Sequence, residues 1–184
     1  MLDIVAANGT ELETRLLEQG VSSDEVILKY CWPRYAPSSG TGMRSIAKSE
    51  NLVAQFERLI AMHRDAPSSF PMPLGTVKSP EGEFAGYIIE FVSGDTLGTL
   101  LARGAVAEAR KQLASVEVVI AKLHAKNMPH GDINPSNIIA ADDGRTLLID
   151  PVACPNSGTQ LQDTLCIEGI KQQISAARSR TADD

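Results

Sequence analysis

The stretch PHGDINPSNII, residues 129–139, and the stretch LLIDP, residues 147–151, decide the fold expected for this chain. Each stretch contains a short apolar run, and Asp142-Asp143-Gly144 between the runs is typical of a hairpin turn. The sequence therefore predicts two antiparallel strands, at 137–140 and 146–149. Polar residues that can bind a ligand, hold a neighbouring side chain or accept a proton lie at the ends of both strands.

These polar residues are His130, Asp132, Asn137 and Asp150. Their pattern resembles the catalytic and metal-binding loops of the protein kinase superfamily, in which H-x-D-x-x-x-x-N precedes a further Asp. The resemblance implies that Asp132 accepts the proton of a substrate hydroxyl and that His130 braces the loop. It also implies that Asn137 and Asp150 bind Mg²⁺, since hard oxygen ligands suit this ion. Each residue taken alone has a simpler interpretation, as a turn or capping residue.

A second resemblance lies in GYIIEFVSGDTLGTLL, residues 86–101, which is similar to the strand and linker that join the two lobes of a kinase. It implies that backbone groups of Glu90 and Val92 hold the adenine ring of ATP and that Asp95 reaches the ribose. The alternative for Asp95 is that it only caps a helix beginning at Thr96.

Lys29 lies near the end of the apolar run EVILKY, residues 25–30, which is typical of a strand. It matches the strand lysine that holds the α- and β-phosphates in the kinase family, and the alternative is a surface lysine. Apolar residues at helical spacing predict a helix over 45–63. On this helix Glu57 is the first candidate for the acidic partner of Lys29, and Glu50 is the second.

We therefore expect an α+β, bilobal kinase-like fold, with a small β-rich lobe and hinge at 1–92 and a reduced helical lobe at 93–184. The remaining elements predicted from the sequence are strands at 74–77 and 84–92 and helices at 96–103, 106–126 and 160–178.

The chain departs from ordinary protein kinases at several positions. No GxGxxG motif precedes Lys29, and Pro151-Val152 replaces the Phe-Gly that usually follows the metal-binding Asp. Only 34 residues follow Asp150, too few for the usual peptide-docking helices. In its short length the chain resembles compact atypical kinases, including the RIO and Bud32 types and minimal kinase effectors that bacteria inject into host cells.

Composition limits the partners. A net charge of −6 argues against nucleic acid. Three cysteines without CxxC spacing fit a reducing compartment, and no apolar run is long enough for a membrane span. We expect a cytoplasmic location, or delivery into a host cell if the protein is an effector.

Three functions follow as expectations. The first is an ATP- and Mg²⁺-dependent kinase that phosphorylates Ser or Thr, with a protein substrate or a regulatory protein as the expected partner. The second is a small-molecule kinase, because HGDINPSN and IDP also resemble the aminoglycoside and sugar phosphotransferases. The third is a non-catalytic pseudokinase that binds a partner, suggested by the missing glycine motif.

Overall fold

The computed structural model describes residues 1–30, 44–47, 51–152 and 159–181. Its helices and two sheets confirm the predicted α+β class. The chain divides into two compact units. The first comprises Met1–Ile60 and Pro71–Val92, and the second comprises Ala61–Phe70 and Ser93–Asp184. Among the helices of the described ranges, none combines the length and apolar character that a membrane span requires.

The first unit is built on a five-stranded sheet. Its strands are β1 (Leu2–Val5), β2 (Val26–Tyr30), β3 (Arg44–Ala47), β4 (Pro73–Lys78) and β5 (Phe84–Glu90). Their order across the sheet is β1-β4-β5-β2-β3. The central strand β5 pairs antiparallel with β4 and β2, whereas each edge strand pairs parallel with its neighbour. The predicted strands at 25–30, 74–77 and 84–92 are thus confirmed to within two residues.

Helix α1 (Gly9–Glu18) packs on this sheet and was not predicted from the sequence. It begins at Asn8, whose side chain accepts a hydrogen bond from the Glu11 backbone N–H at 3.0 Å. In return the Glu11 carboxylate accepts from the Ala7 N–H at 2.8 Å, so both donors at the start of the helix are satisfied. The buried side chains of Leu12 and Leu16 join the apolar core of the sheet.

Helix α2 (Leu52–Asp65) contributes residues to both units. The single helix predicted over 45–63 is therefore wrong at its start, because Arg44–Ala47 forms β3 instead. The pairing of this segment with the edge of β2 explains why it forms a strand and not a helix. Residues Ile27–Tyr30 of β2 pair in register with Arg44–Ala47, and tertiary pairing of this kind overrides a helical pattern of apolar residues.

The second unit contains α3 (Leu97–Ala102), α4 (Val106–His124), α5 (Gln160–Thr181) and a three-stranded antiparallel sheet. The sheet order is β6 (Gly94–Thr96), β7 (Ile138–Ala141) and β8 (Thr146–Leu148). The predicted hairpin at 137–149 is confirmed, and so are all three predicted helices of this region. The predicted apolar stripe of α4 is buried; its members are Leu113, Val116, Val119, Ile120 and Leu123.

Strand β6 was not predicted, since its sequence Gly-Asp-Thr has little strand character. Gly94 makes the pairing possible. A Cβ at this position would lie 2.2 Å from the Ala140 carbonyl oxygen, and the Gly94 φ of 154° is one that other residues rarely adopt.

Candidate active site

Asp132 lies in the loop between α4 and β7, and two side-chain amides hold its carboxylate. Asn137 Nδ2 donates to Asp132 Oδ2 at 2.8 Å and to the Asp132 carbonyl oxygen at 3.0 Å. Asn134 Nδ2 donates to Asp132 Oδ1 at 3.1 Å. The Asp132 side chain is nevertheless exposed. Two amides therefore hold the carboxylate in place while the Asp132 side chain stays exposed to solvent.

His130 precedes Asp132 and is fully buried. Its ring stacks near that of Phe70, with centroids 6.3 Å apart and an angle of 24° between the planes. His130 Nδ1 accepts a hydrogen bond from the Asp132 backbone N–H at 3.4 Å, and the His130 carbonyl accepts from the Val152 N–H at 3.1 Å. The contact with Val152 links the loop to the segment after β8, and the bracing role of His130 stays a prediction.

Asp163, on α5, is a site residue that the sequence interpretation missed. Its side chain is completely buried, and its two oxygens accept hydrogen bonds from the backbone N–H groups of His130 and Gly131, both at 2.8 Å. The His124 ring adds a third contact, with Nε2 2.9 Å from Asp163 Oδ2. The buried carboxylate thus fixes the backbone just before Asp132.

The sequence contains a signal for Asp163. The buried apolar residues of α5 are Ile167, Ile170 and Ile174, at spacings of three and four that mark one face of a helix. Asp163 lies four residues before Ile167 and so continues that face. An acidic residue on a buried helix face requires hydrogen-bond donors from its neighbours, and the backbone of His130 and Gly131 supplies them here.

Cys166 lies near the same carboxylates. Burial raises the pKa of the Cys166 thiol, and the charges of Asp163 and Asp132 raise this pKa further. The thiol therefore stays protonated at neutral pH, which argues against a role as nucleophile.

Asp150 follows β8 at the open end of the hairpin, next to Asn137. The Ile149 N–H donates to the Asn137 carbonyl oxygen at 3.0 Å, so the two candidate metal ligands are fixed on adjacent strand ends. Asp150 has a φ of 57°, in the left-handed region that residues other than glycine enter at a cost of about 1 kcal/mol. Such strain is concentrated at functional sites.

The donor set of this strand end fits Mg²⁺. Asn137 Nδ2 is engaged by Asp132, which leaves the amide oxygen as its metal-binding atom, and Asp150 supplies a carboxylate. The described residues contain no cluster of three or more His, Cys, Asp or Glu that could bind a metal ion on its own. A magnesium ion would therefore need further oxygen ligands from phosphate or water, as Mg²⁺ with nucleotide usually has.

Lys29 lies on β2 in the first unit and is 1% exposed, so the alternative of a surface lysine is wrong. It pairs in register with Tyr87 of β5, which places both side chains on the same face of the sheet. Helix α2 covers this face: the Phe56 ring stacks on Tyr87 at 4.8 Å, and the Tyr87 hydroxyl donates to Gln55 Oε1 at 2.9 Å.

Glu57, the predicted partner of Lys29, is exposed on α2. The buried polar residue of this helix is Gln55, which is 1% exposed. An exposed carboxylate is a poor partner for a deeply buried ammonium group, although the pairing itself stays a prediction. Glu50, the second candidate, lies outside the described residues.

The predicted nucleotide contacts lie around the end of β5. The Glu90 N–H donates to the Met72 carbonyl at 3.0 Å, which fixes the backbone there, and Val92 follows two residues later, half-buried. Asp95 lies in β6 of the second unit and forms an ion pair with Arg103 at 2.6 Å. Asp95 is not the helix cap: Thr96 is, and its hydroxyl accepts from the Thr99 N–H. The adenine and ribose roles stay predictions.

The second unit thus brings together His130, Asp132, Asn137 and Asp150, and adds Asn134 and Asp163. Lys29, Glu57, Glu90 and Val92 belong to the first unit. Comparison with known proteins assigns the chain to no family. No family model matches it, and no curated protein matches it.

Proposed function

We propose that this protein is an ATP- and Mg²⁺-dependent phosphotransferase with a bilobal kinase-like fold, and that it phosphorylates Ser or Thr of a protein substrate. One observation carries the proposal. Asn137 orients the Asp132 carboxylate through its amide nitrogen, while its backbone is tied to the strand end that carries Asp150. A proton acceptor and two oxygen ligands are thereby joined in one rigid group, which phosphoryl transfer needs.

The reaction would proceed in one displacement. The substrate hydroxyl oxygen forms a bond to the γ-phosphorus of ATP, and the bond from that phosphorus to the β,γ-bridging oxygen breaks, so ADP leaves. Asp132 accepts the hydroxyl proton through a carboxylate that Asn137 keeps oriented. Asn137 and Asp150 would hold Mg²⁺, which neutralises charge on the phosphate oxygens.

The exposure of Asp132 favours a protein acceptor over a small metabolite. Small-molecule sites are concave and enclose most of their ligand, whereas the Asp132 side chain lies exposed on its loop. A Ser or Thr side chain presented by another protein can reach such a carboxylate directly. The acidic composition of the chain, with a net charge of −6, also favours a basic acceptor surface.

Transfer of labelled phosphate tests the proposal. The purified protein would be incubated with γ-labelled ATP, Mg²⁺ and either myelin basic protein or an aminoglycoside mixture. We expect label on the basic protein, with a loss of at least about 100-fold in Asp132→Ala and in Asp150→Ala. Asp142→Ala, in the hairpin turn, is the matched control and should retain activity.

The other outcomes are equally informative. Rapid label transfer to an aminoglycoside would favour the small-molecule kinase. If wild type and both variants give the same background signal, the protein is not a phosphotransferase. Absence of any rise in melting temperature with millimolar Mg-ATP would then favour a scaffold that binds no nucleotide.

A further inference from the structure

Asn134 makes contacts that no assigned role explains. Its amide nitrogen donates to Asp132 Oδ1 at 3.1 Å and approaches the Asp132 carbonyl oxygen at 3.4 Å. Its amide oxygen accepts from the backbone N–H groups of Ser136 at 2.9 Å and Asn137 at 3.2 Å. One side chain therefore uses both ends of its amide within the same loop.

The two ends of this amide do different work. The oxygen closes a turn in the backbone, a role that Asp fills as well as Asn because both present a side-chain oxygen there. The nitrogen reaches the carboxylate oxygen that Asn137 does not hold, since Asn137 donates to Oδ2. The amide serves the turn and the carboxylate together, whereas an ionised Asp at this position could serve only the turn.

The sequence of the loop makes this second contact important. Residues 130–137, HGDINPSN, contain no Lys or Arg that could orient the Asp132 carboxylate by charge. Among the described residues, Asn137 is the other side chain seen to donate to this carboxylate, and with that donor alone the carboxylate could still rotate about its side-chain bonds. Two amides, one on each oxygen, restrict that rotation and direct the remaining lone pairs outward.

We propose that Asn134 is a positioning residue, which holds the Asp132 carboxylate in the orientation that accepts the substrate proton. This inference rests on the proposed phosphotransferase function. Asn134 itself touches neither substrate nor nucleotide in this account, so its loss should lower kcat and leave the KM for ATP nearly unchanged.

Asn134→Asp separates the two roles of the side chain. The variant keeps an oxygen for the turn but replaces the donor to Asp132 with a like charge. We expect its kcat to fall about 10- to 100-fold, while its melting temperature and its stabilisation by Mg-ATP stay close to wild type. Asn134→Ser keeps a shorter side-chain oxygen for the turn and adds no charge, but it lacks the amide nitrogen that donates to Asp132, so its kcat should fall to a similar extent.

Ser136→Ala provides the matched control, because Ser136 is an exposed neighbour that contacts Asn134 only through its backbone N–H. A kcat of Asn134→Asp within twofold of wild type would overturn the inference and leave Asn134 a turn residue only. An increase in the KM for ATP at constant kcat would also overturn it, since it would place Asn134 at the nucleotide. Inactivity of the wild-type protein is a different result, and it would reject the proposed function instead.

Discussion

The two units hold their candidate functional residues by different means. In the second unit, hydrogen bonds fix the loop around Asp132. Asp163 accepts from the backbone of the loop, and two side-chain amides donate to the Asp132 carboxylate. In the first unit, Lys29 is fixed by burial and strand pairing, under an α2 helix that contributes Phe56 and Gln55. The loop therefore depends on individual hydrogen bonds, and the lysine site depends on packing.

Substitution of Asp163 tests whether the loop depends on individual hydrogen bonds, and it should have the largest effect on stability and activity. Asp163→Ala leaves the N–H groups of His130 and Gly131 buried without their acceptor. We expect the free energy of unfolding to fall by about 3 kcal/mol and phosphate transfer to be lost. Urea denaturation followed by circular dichroism gives the first quantity, and the labelled-ATP assay gives the second.

Asp143→Ala is the control, because Asp143 also accepts a backbone N–H but lies exposed in the hairpin turn. This variant should behave as wild type. Asp163→Asn, which keeps one acceptor oxygen, should fall between the two. Full stability and activity in Asp163→Ala would show that the loop does not depend on this carboxylate.

The sequence predicted the loop better than the lysine site, and the reason is physical. His130, Asp132, Asn137 and Asp150 lie within 21 residues, so a local motif encodes most of their geometry. The hairpin between them is local too, and its turn residues specify it. Asp163 is 31 residues from Asp132: the local pattern places it on the buried face of α5, but its partner in the loop depends on how α5 packs, which no local pattern specifies.

Long-range pairing explains the errors in the first unit. Strand β1 pairs with β4 more than 70 residues away, and β3 adds to the edge of β2, so neither is determined by its own sequence. Glu57 is predicted because it precedes the apolar stretch that leads to Phe70-Pro71-Met72-Pro73, as the glutamate of the kinase family precedes its next strand. Which side of α2 faces the sheet depends on Tyr87 and Phe56, and their stacking places Gln55 inward.

Substitution of Lys29 tests whether the lysine site keeps its fold through packing when the charge is removed. Lys29→Met keeps most of the buried volume but removes the charge, so we expect the fold to be retained and Mg-ATP to bind at least about tenfold more weakly. A tenfold loss in affinity lowers the stabilisation by saturating ligand by about 1.4 kcal/mol. Differential scanning fluorimetry with and without Mg-ATP measures it.

The matched control is Lys78→Met, since Lys78 also lies on a strand but is 39% exposed and pairs with Asp3. It should leave the shift with Mg-ATP unchanged. Equal shifts for wild type and Lys29→Met would remove Lys29 from the nucleotide site.

A pair of substitutions on α2 should have a smaller effect. Gln55→Ala removes the buried acceptor of the Tyr87 hydroxyl, and we expect the free energy of unfolding to fall by about 1 to 3 kcal/mol. Glu57→Ala alters an exposed position and should change it by no more than about 0.5 kcal/mol. If Glu57→Ala were the more damaging to stability and to nucleotide binding, the predicted Lys29–Glu57 pair would be supported.

The smallest expected effect is on the packing of α5 against α4. It tests whether the contacts of Asp163 position the loop without help from the rest of this packing. Lys171, two helical turns beyond Asp163, bridges Glu117 of α4 and Glu168, both at 2.7 Å. Hydrogen bonds from Lys171 to these carboxylates raise its pKa from 10.5 to about 12. Because the raised pKa belongs to the folded state, the stabilisation is complete below pH 10.5 and is lost as the pH rises through about 12.

The difference in unfolding free energy between wild type and Lys171→Met measures this contribution at each pH. We expect a small difference that is constant from pH 7 to 10 and then declines towards pH 12, while kcat at neutral pH is unaffected. A loss of kcat in Lys171→Met at neutral pH would show that the whole α4–α5 contact positions the catalytic loop. The polar contacts of Asp163 would then be one part of a larger packing arrangement, and the contrast between the two units would be weaker.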